Sequence, residues 1–186
     1  MDILRNELNG IYASQALNCE LLPEDGVMVT CQRAACLAGI TDGCAVVTDA
    51  ACDRCYVYSG NFGVLIGYAD SASYAFVADS SDEDVIYEHI HPEDLVDKRL
   101  LEYEFFKTVD GKNPEDKICF IARCRIRMRD RNGEYHAVEN TTQLIRLSPL
   151  GKMWLILCTY CLSSYPAEED GIAPSIVNTR TGEVHG

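Results

Sequence analysis

The fold is decided between Arg123 and Asn140, where the chain reads Arg-Cys-Arg-Ile-Arg-Met-Arg-Asp-Arg-Asn-Gly-Glu-Tyr-His-Ala-Val-Glu-Asn. Arginine occupies every second position from 123 to 131, with soft apolar residues between the first four. A period of two predicts a β-strand with one charged face and one apolar face. Asn132-Gly133 predicts a tight hairpin turn, because both residue types accept the positive φ of a type I′ turn. A second strand should return towards Leu147, so the stretch predicts an antiparallel sheet with one covered face.

The apolar face of this strand should point into the core. We expect the five arginines on the opposite face, away from the longest helix, because the alternation is unbroken. Any small-molecule pocket should lie between the inner sheet face and that helix, where a roofed concave sheet leaves its largest gap. A mostly filled core is favoured over a cofactor site, and no cofactor is expected. The predicted lining consists of Leu100, Phe105, Phe106, Phe120, Ala122, Cys124, Ile126, Met128 and Trp154.

The composition is typical of a globular protein. Of 186 residues, 47% are hydrophobic and 24% are charged, and no apolar run approaches the roughly 20 residues of a membrane span. The formal net charge of −13 opposes binding to free DNA and to anionic membranes. No basic region precedes an apolar signal core at the N-terminus, so the expected location is the cytoplasm. One main domain is expected at this length.

Ten cysteines raise the question of disulfides or a zinc site. The expected reducing cytosol disfavours disulfides. Two Cys-x-x-Cys pairs, Cys52/Cys55 and Cys158/Cys161, lie about a hundred residues apart, far beyond the roughly 12–20 residues of common zinc spacings. Cys158 and Cys161 also fall on a predicted strand, where residues three apart point to opposite faces. We expect no metal site and interpret the other cysteines mainly as small core residues.

Residues 1–40 predict a helical extension. Ile3, Leu4, Leu8 and Ile11 recur at helical spacing, and residues 27–37 are apolar enough for a second helix. Two such helices bury too little to fold alone, so they should pack on the following domain or on a second copy of the chain. We expect them to mediate a homodimer, since exposing these apolar side chains in a monomer would be costly. Packing on the outer sheet face of the same chain is the alternative.

His91-Pro-Glu-Asp94 predicts the start of the longest helix. Proline suits the first helical position, and two carboxylates in the first turn favour the helix dipole. The helix should end near Asp110-Gly111. Its main apolar stripe is predicted to be Leu95, Val96, Leu100, Tyr103 and Phe106, while Leu101 and Phe105 point elsewhere.

Several short sequence motifs at or between these elements follow one another in a characteristic order. They are Ala45–Asp49, Tyr56–Ser59, Phe62–Tyr68, His91–Asp94, Arg123–Gly133, Tyr135–Glu139 and Met153–Ser163. Together they resemble a PAS domain, here residues 41–165. The resemblance implies an α+β fold, with a five-stranded antiparallel sheet and helices over one face. Such a domain is usually a sensory or interaction module of a larger signalling protein, and the fold implies no activity.

Residues 166–186 become rich in proline, glutamate and glycine, which predicts a linker or a small hairpin leading to a missing C-terminal domain. With the helical lead, the PAS-like body and the phrase Asn178-Thr-Arg-Thr-Gly-Glu-Val184, the chain resembles the N-terminal sensor region of bacterial LuxR-type transcription regulators. The resemblance implies a cytoplasmic sensor and dimerisation module for signal transduction and transcription regulation. Whether such a module binds a small-molecule ligand stays open, and DNA binding is expected only through a helix-turn-helix beyond these residues.

Two other functions stay open. A cysteine-based redox sensor needs an exposed thiolate near positive charge, and Cys52 and Cys55 flank Arg54 in a predicted turn. A small enzyme would use a cysteine nucleophile beside His136 or His91. The sequence carries no Gly-x-Ser-x-Gly, phosphate-loop or metal-histidine motif, so no enzymatic activity is expected.

Overall fold

The computed structural model describes residues 3–80, 83–167 and 171–185. The helices are α1 (Ile3–Ser14), α2 (Gly26–Thr41), α3 (Asn61–Ile66), α4 (Asp84–Tyr87), α5 (Pro92–Asp110) and α6 (Pro114–Lys117), and a 3₁₀ turn spans Leu17–Cys19. The strands are β1 (Cys44–Asp49), β2 (Arg54–Ser59), β3 (Tyr74–Ala78), β4 (Phe120–Arg129), β5 (Tyr135–Leu147), β6 (Met153–Leu162), β7 (Ser175–Asn178) and β8 (Val184–His185). No described helix is both long enough and apolar enough to cross a membrane.

One antiparallel sheet organises these elements, in the order β3-β2-β1-β6-β5-β4-β7-β8. The predicted α+β class is confirmed, but the described sheet has eight strands and not five. The extra strands lie at its two edges. The apolar strand β3 pairs with β2, and the β7-β8 hairpin pairs with Phe120–Arg123 of β4. Residues 166–186, for which the sequence predicts a linker or a small hairpin, thus contribute two strands to the sheet.

The inward face of the arginine strand is as its alternation predicts, but the arginines are not all directed away from the longest helix, because the Arg127 guanidinium binds Asp94 in the first turn of α5. The core contains its inward residues Phe120, Ala122, Cys124, Ile126 and Met128. The hairpin is also confirmed, because β4 and β5 pair as far as Arg129↔Tyr135. Its loop spans residues 130–134 and is wider than a two-residue turn. Within it, Gly133 alone has a positive φ, 92°.

The two N-terminal helices pack on opposite sides of the sheet, so helices do not cover one face only. α1 packs on α5 and buries Leu8 in the inner core. α2 packs on β1, β2 and β6 from the other side, over a second core around Trp154. Small buried residues of α2, among them Ala34 and Ala38, allow this helix to lie close to the strands. Much of the apolar surface of the extension is thus covered within the chain.

α5 begins and ends where the sequence predicts, but it turns a different face to the sheet. Its buried residues are Asp94, Lys98, Leu101, Glu102, Phe105, Phe106 and Val109. Val96 and Leu100, which belong to the predicted apolar stripe, are exposed. The stripe prediction is wrong there because charged side chains occupy the buried face, each with a partner inside the protein.

We predict opposite effects of alanine at two glycines of α2. A Cβ at Gly26 would overlap Cη2 of Trp154, whereas a Cβ at Gly39 would meet no atom within 4 Å. Gly26→Ala should lower the free energy of unfolding by about 1–3 kcal/mol through overpacking. Gly39→Ala should raise it by about 0.5–1 kcal/mol through helix propensity. Urea unfolding compares the two, and shifts of the same sign would contradict the packing of α2 on Trp154.

Candidate functional site

Polar side chains meet in the interior between α4, α5 and the middle of the sheet. Lys98 and Glu102 stand one turn apart on α5, Glu83 precedes α4, Tyr87 ends α4, and Tyr160 projects from β6. Lys98 is 0% exposed, and the other four are buried as well. Lysine and glutamate are almost never fully buried unless they are paired. We call these five residues the interior ion group, and they form the candidate functional site.

The ammonium of Lys98 is the centre of the interior ion group. Its Nζ donates to Oε1 of Glu102 at 2.5 Å and to the hydroxyl oxygen of Tyr87 at 3.3 Å. The Tyr87 hydroxyl donates to Oε2 of Glu102 at 3.4 Å, and the Tyr160 hydroxyl donates to Oε2 of Glu83 at 2.5 Å. Nζ also lies 4.6 Å from the ring centroid of Tyr87 and 5.8 Å from that of Tyr160. Carboxylate and aromatic groups therefore share one ammonium.

The inner sheet face near this group carries small polar side chains. Oγ1 of Thr142 on β5 lies 3.5 Å from Sγ of Cys158 on β6. On the neighbouring strands, the Cys124 thiol donates to Oδ1 of Asn140 at 3.6 Å. All four residues are buried. The middle of the sheet is thus polar, in contrast to the aliphatic and aromatic remainder of the inner core.

Burial and charge oppose one another inside the interior ion group. Burial raises the pKa of Glu83; the charge of Lys98 opposes this rise, and the charge of Glu102 adds to it. Burial alone would lower the pKa of Lys98, but the charges of Glu102 and Glu83 raise it above its ordinary value. Burial also raises the pKa of Tyr160. Lys98 therefore stays charged at neutral pH, while Glu83 is biased towards its protonated form.

The first turn of α5 fastens this site to the edge of the sheet. β7 pairs only with residues 120–123 of β4, so the later backbone donors of β4 need other acceptors. Oδ2 of Asp94 accepts from the Arg127 backbone N–H at 2.6 Å, and the His89 carbonyl accepts from Arg129 N–H at 2.7 Å. The Arg127 guanidinium binds the same carboxylate, with Nη2 2.5 Å from Oδ1. Asp94 lies one helical turn before Lys98, which links the sheet edge to the interior ion group.

The predicted pocket lining divides between three places. The inner core contains Phe105, Phe106, Phe120, Ala122, Cys124, Ile126 and Met128. Leu100 is 44% exposed and lines a surface groove of about 530 Å³ between α5 and residues 171–174. Trp154 lies on the opposite sheet face, where its Nε1 donates to Oδ1 of Asp49 at 3.1 Å. Strand alternation explains this placement, because its neighbour Met153 points into the inner core.

The cysteine pair of the redox alternative does not present an exposed thiolate. Cys55 is buried, whereas Cys52 is exposed. Desolvation raises the pKa of Cys52 to about 11, and the carboxylate of Asp49 adds to the rise. The thiol of Cys52 is therefore protonated at neutral pH, which opposes rapid thiol oxidation.

Sequence reasoning missed the interior ion group. The spacing of Lys98 and Glu102 predicts that they form an ion pair on the helix. Oppositely charged residues four apart, however, usually lie on a solvated helix surface. Glu83 carries no such signal, since it belongs to an acidic run that predicts a loop. A group that could hold a metal ion was also missed on the β4-β5 hairpin, where ligand atoms of Asp130, Glu134 and His136 all lie within 4.8 Å of one another.

No protein-family model matches the sequence, and a comparison with curated proteins gave no match. Among solved structures, a sensory box histidine kinase/response regulator from Burkholderia thailandensis E264 is similar with a TM-score of 0.43 and 15% identity, over 72% of this chain and 83% of that chain. The VqmA dimer of Vibrio cholerae, described with the DNA-binding mechanisms of LuxR-type receptors, is similar with a TM-score of 0.38 and 14% identity, over 77% of this chain and 52% of that chain. The antiparallel sheet with packed helices is compatible with the PAS resemblance of the sequence.

We predict that removing the buried ammonium destabilises the domain strongly. Lys98→Met leaves Glu102 buried without its counter-charge, and breaking a buried pair in this way costs about 3–5 kcal/mol. Combining Lys98→Met with Glu102→Leu removes both charges and should recover most of the loss, because apolar replacements of buried pairs are often neutral. Denaturant unfolding gives both values. A double variant no more stable than Lys98→Met would contradict the pairing.

Proposed function

We propose that this chain is a non-enzymatic PAS-type sensor and dimerisation module of a cytoplasmic transcription regulator of the LuxR type. Its signal is a small molecule that binds at the interior ion group. DNA binding belongs to a separate helix-turn-helix domain, and the strongly acidic module itself does not bind DNA.

The enclosure of Glu83, Lys98 and Glu102 in the core is the observation that carries this proposal. Desolvating two charges costs several kcal/mol, and apolar residues of similar volume are often at least as stabilising. A fold therefore gains little stability from such a group, and enclosed ionisable residues with perturbed pKa values are candidate functional sites. The group lies between the inner sheet face and α5, which is where the sequence predicts any small-molecule pocket.

The chemistry of the group favours a ligand with hydrogen-bond donors beside an apolar part. Glu83 and Glu102 supply carboxyl oxygens, which accept hydrogen bonds, and Lys98 supplies the ammonium that binds Glu102. Phenylalanine side chains of the inner core lie on the same helix, at positions 105 and 106. A ligand that draws Glu102 away from Lys98 displaces the first turns of α5. The contact between Asp94 and Arg127 then carries the change to the sheet edge.

A thermal-shift screen of small amines, amides and alcohols tests the sensor role. Compounds that bind at the interior ion group should raise the melting temperature of the wild-type protein but not that of the Lys98→Met/Glu102→Leu variant. Arg129→Gln is the matched control, because Arg129 lies on the outer face and is exposed. Stabilisation that persists in the interior variant would contradict the location, and a screen without a stabilising compound would contradict the sensor role.

The exposed face of α2 supports the homodimer through the N-terminal helices. The helix holds one charged residue, Arg33, in 16 residues, and is apolar on both sides. Its outward side exposes Met28 and Ile40, the latter to 84%, together with the small residues Ala35 and Gly39. A helix that is apolar all round is normally buried on all sides. In α1, by contrast, Leu8 is already covered by the chain itself, so α2 is the better dimer surface.

Sedimentation velocity tests this surface. Met28→Glu and Ile40→Glu should each weaken the dimer about 30-fold or more, as the loss of a hot-spot residue worth about 2 kcal/mol does. Leu150→Glu is the matched control, since Leu150 is 73% exposed on the turn between β5 and β6. A monomeric wild-type protein at micromolar concentration, or a dimer equally weakened by the control, would contradict the proposal.

A further inference from the structure

The β4-β5 hairpin gathers three metal-ligating side chains that share no residue with the interior ion group. Ligand atoms of Asp130, Glu134 and His136 all lie within 4.8 Å of one another. The set combines two carboxylates with an imidazole. Mixed nitrogen and oxygen ligands suit zinc and its neighbours, whereas magnesium and calcium prefer oxygen alone.

The backbone fixes two of these ligands in place. Oδ1 of Asp130 accepts the backbone N–H groups of Asn132 at 2.8 Å and of Glu134 at 3.0 Å, so its Oδ2 is held towards His136. His136 is fixed from the other side, because it pairs with Met128 in the sheet. Side-chain orientation by hydrogen bonds of this kind strengthens metal sites. The carboxylate of Asp130 is 4% exposed, whereas Glu134 is exposed.

The spacing of the fixed pair is close to that of two ligands on a tetrahedral ion. Nε2 of His136 lies 3.0 Å from Oδ2 of Asp130. Two ligands bound at the usual zinc distances in tetrahedral geometry lie about 3.3 Å apart. A small outward movement therefore admits the ion, Glu134 can supply a third ligand, and the fourth position is left for water.

Nearby cations do not block this position. Arg131 directs its guanidinium to the carbonyl of Val64 on α3, and Arg127 binds Asp94. Arg129 is exposed and pairs with Tyr135. Its side chain therefore lies on the sheet face opposite to that of His136. The chain as a whole carries a formal net charge of −13, which favours the approach of a divalent cation.

We propose that Asp130, Glu134 and His136 bind a divalent transition-metal ion of the zinc class. In the metal-free hairpin, the hydrogen on Nε2 of His136 is donated to Asp130. On binding, Nε2 coordinates the ion through its lone pair and the imidazole carries its hydrogen on Nδ1. The proton count of the ring is unchanged, and the ion replaces the hydrogen bond between the two side chains.

Histidine-detected nitrogen NMR with Zn²⁺ tests the site on the full, reduced chain. The chain has four histidines, so each ring signal is assigned with a His→Gln variant. One equivalent of Zn²⁺ should change the His136 ring to the Nδ1–H tautomer with a coordinated Nε2. Because the signal is specific to one residue, zinc bound by exposed thiols does not imitate it.

His185 and Glu183 form the matched control. Nε2 of His185 lies 3.8 Å from Oε2 of Glu183, and among the described residues no third ligand completes a metal-binding group with this pair. Zn²⁺ should perturb His136 at a concentration at least tenfold lower than His185, and Glu134→Gln should remove that difference while leaving the spectrum of the fold unchanged. An unshifted His136 signal, an equal response of His185, or an unchanged affinity in Glu134→Gln would each overturn the proposal.

Discussion

The packing of α4 and α5 on the sheet depends on one buried ammonium. Lys98 neutralises Glu102 at 2.5 Å and lessens the cost of placing Glu83 in the same interior. Without this charge, two carboxyl groups would face a core of low dielectric constant, and each would have to bind a proton or leave. Glu83 precedes α4 and Tyr87 ends it, so both ends of this short helix are attached to the interior ion group. Charge balance inside the core therefore determines how α4 lies against the sheet.

A second constraint acts at the edge of β4, where this strand continues beyond the end of its partner β7. Asp94 takes the place of a neighbouring strand, because its carboxylate accepts the backbone N–H of Arg127 and also binds the guanidinium. A charge-assisted contact of this kind is stronger than a neutral hydrogen bond. Asp94 and Lys98 lie on successive turns of α5, so this one helix carries both the contact at the sheet edge and the centre of the interior ion group.

The sequence predicted correctly those features that depend on residues close together in the chain. The arginine alternation and the hairpin were readable because strand faces and turns depend on neighbouring residues. Trp154 was misplaced because an apolar strand covered on both faces gives no sign of which face a residue takes. Leu100 was misplaced because the helix pattern treats Lys98 and Glu102 as solvated, and their burial depends on Glu83 and Tyr160, far away in the sequence. The site therefore could not be read from spacing, although its position under the long helix could.

The protonation of Glu83 is the most direct test of the enclosed ion group. Because the pKa of Glu83 is raised in the folded protein, its contribution to the free energy of unfolding is greatest below its unfolded pKa. That contribution is lost as the pH rises through the folded pKa. Carbon NMR of the glutamate carboxyl groups, assigned with Glu83→Gln, follows this titration in the native protein. We predict that the Glu83 signal titrates above 4.5, the ordinary pKa of a glutamate side chain. A Glu83 signal that titrates at or below that value would contradict the enclosure of the group.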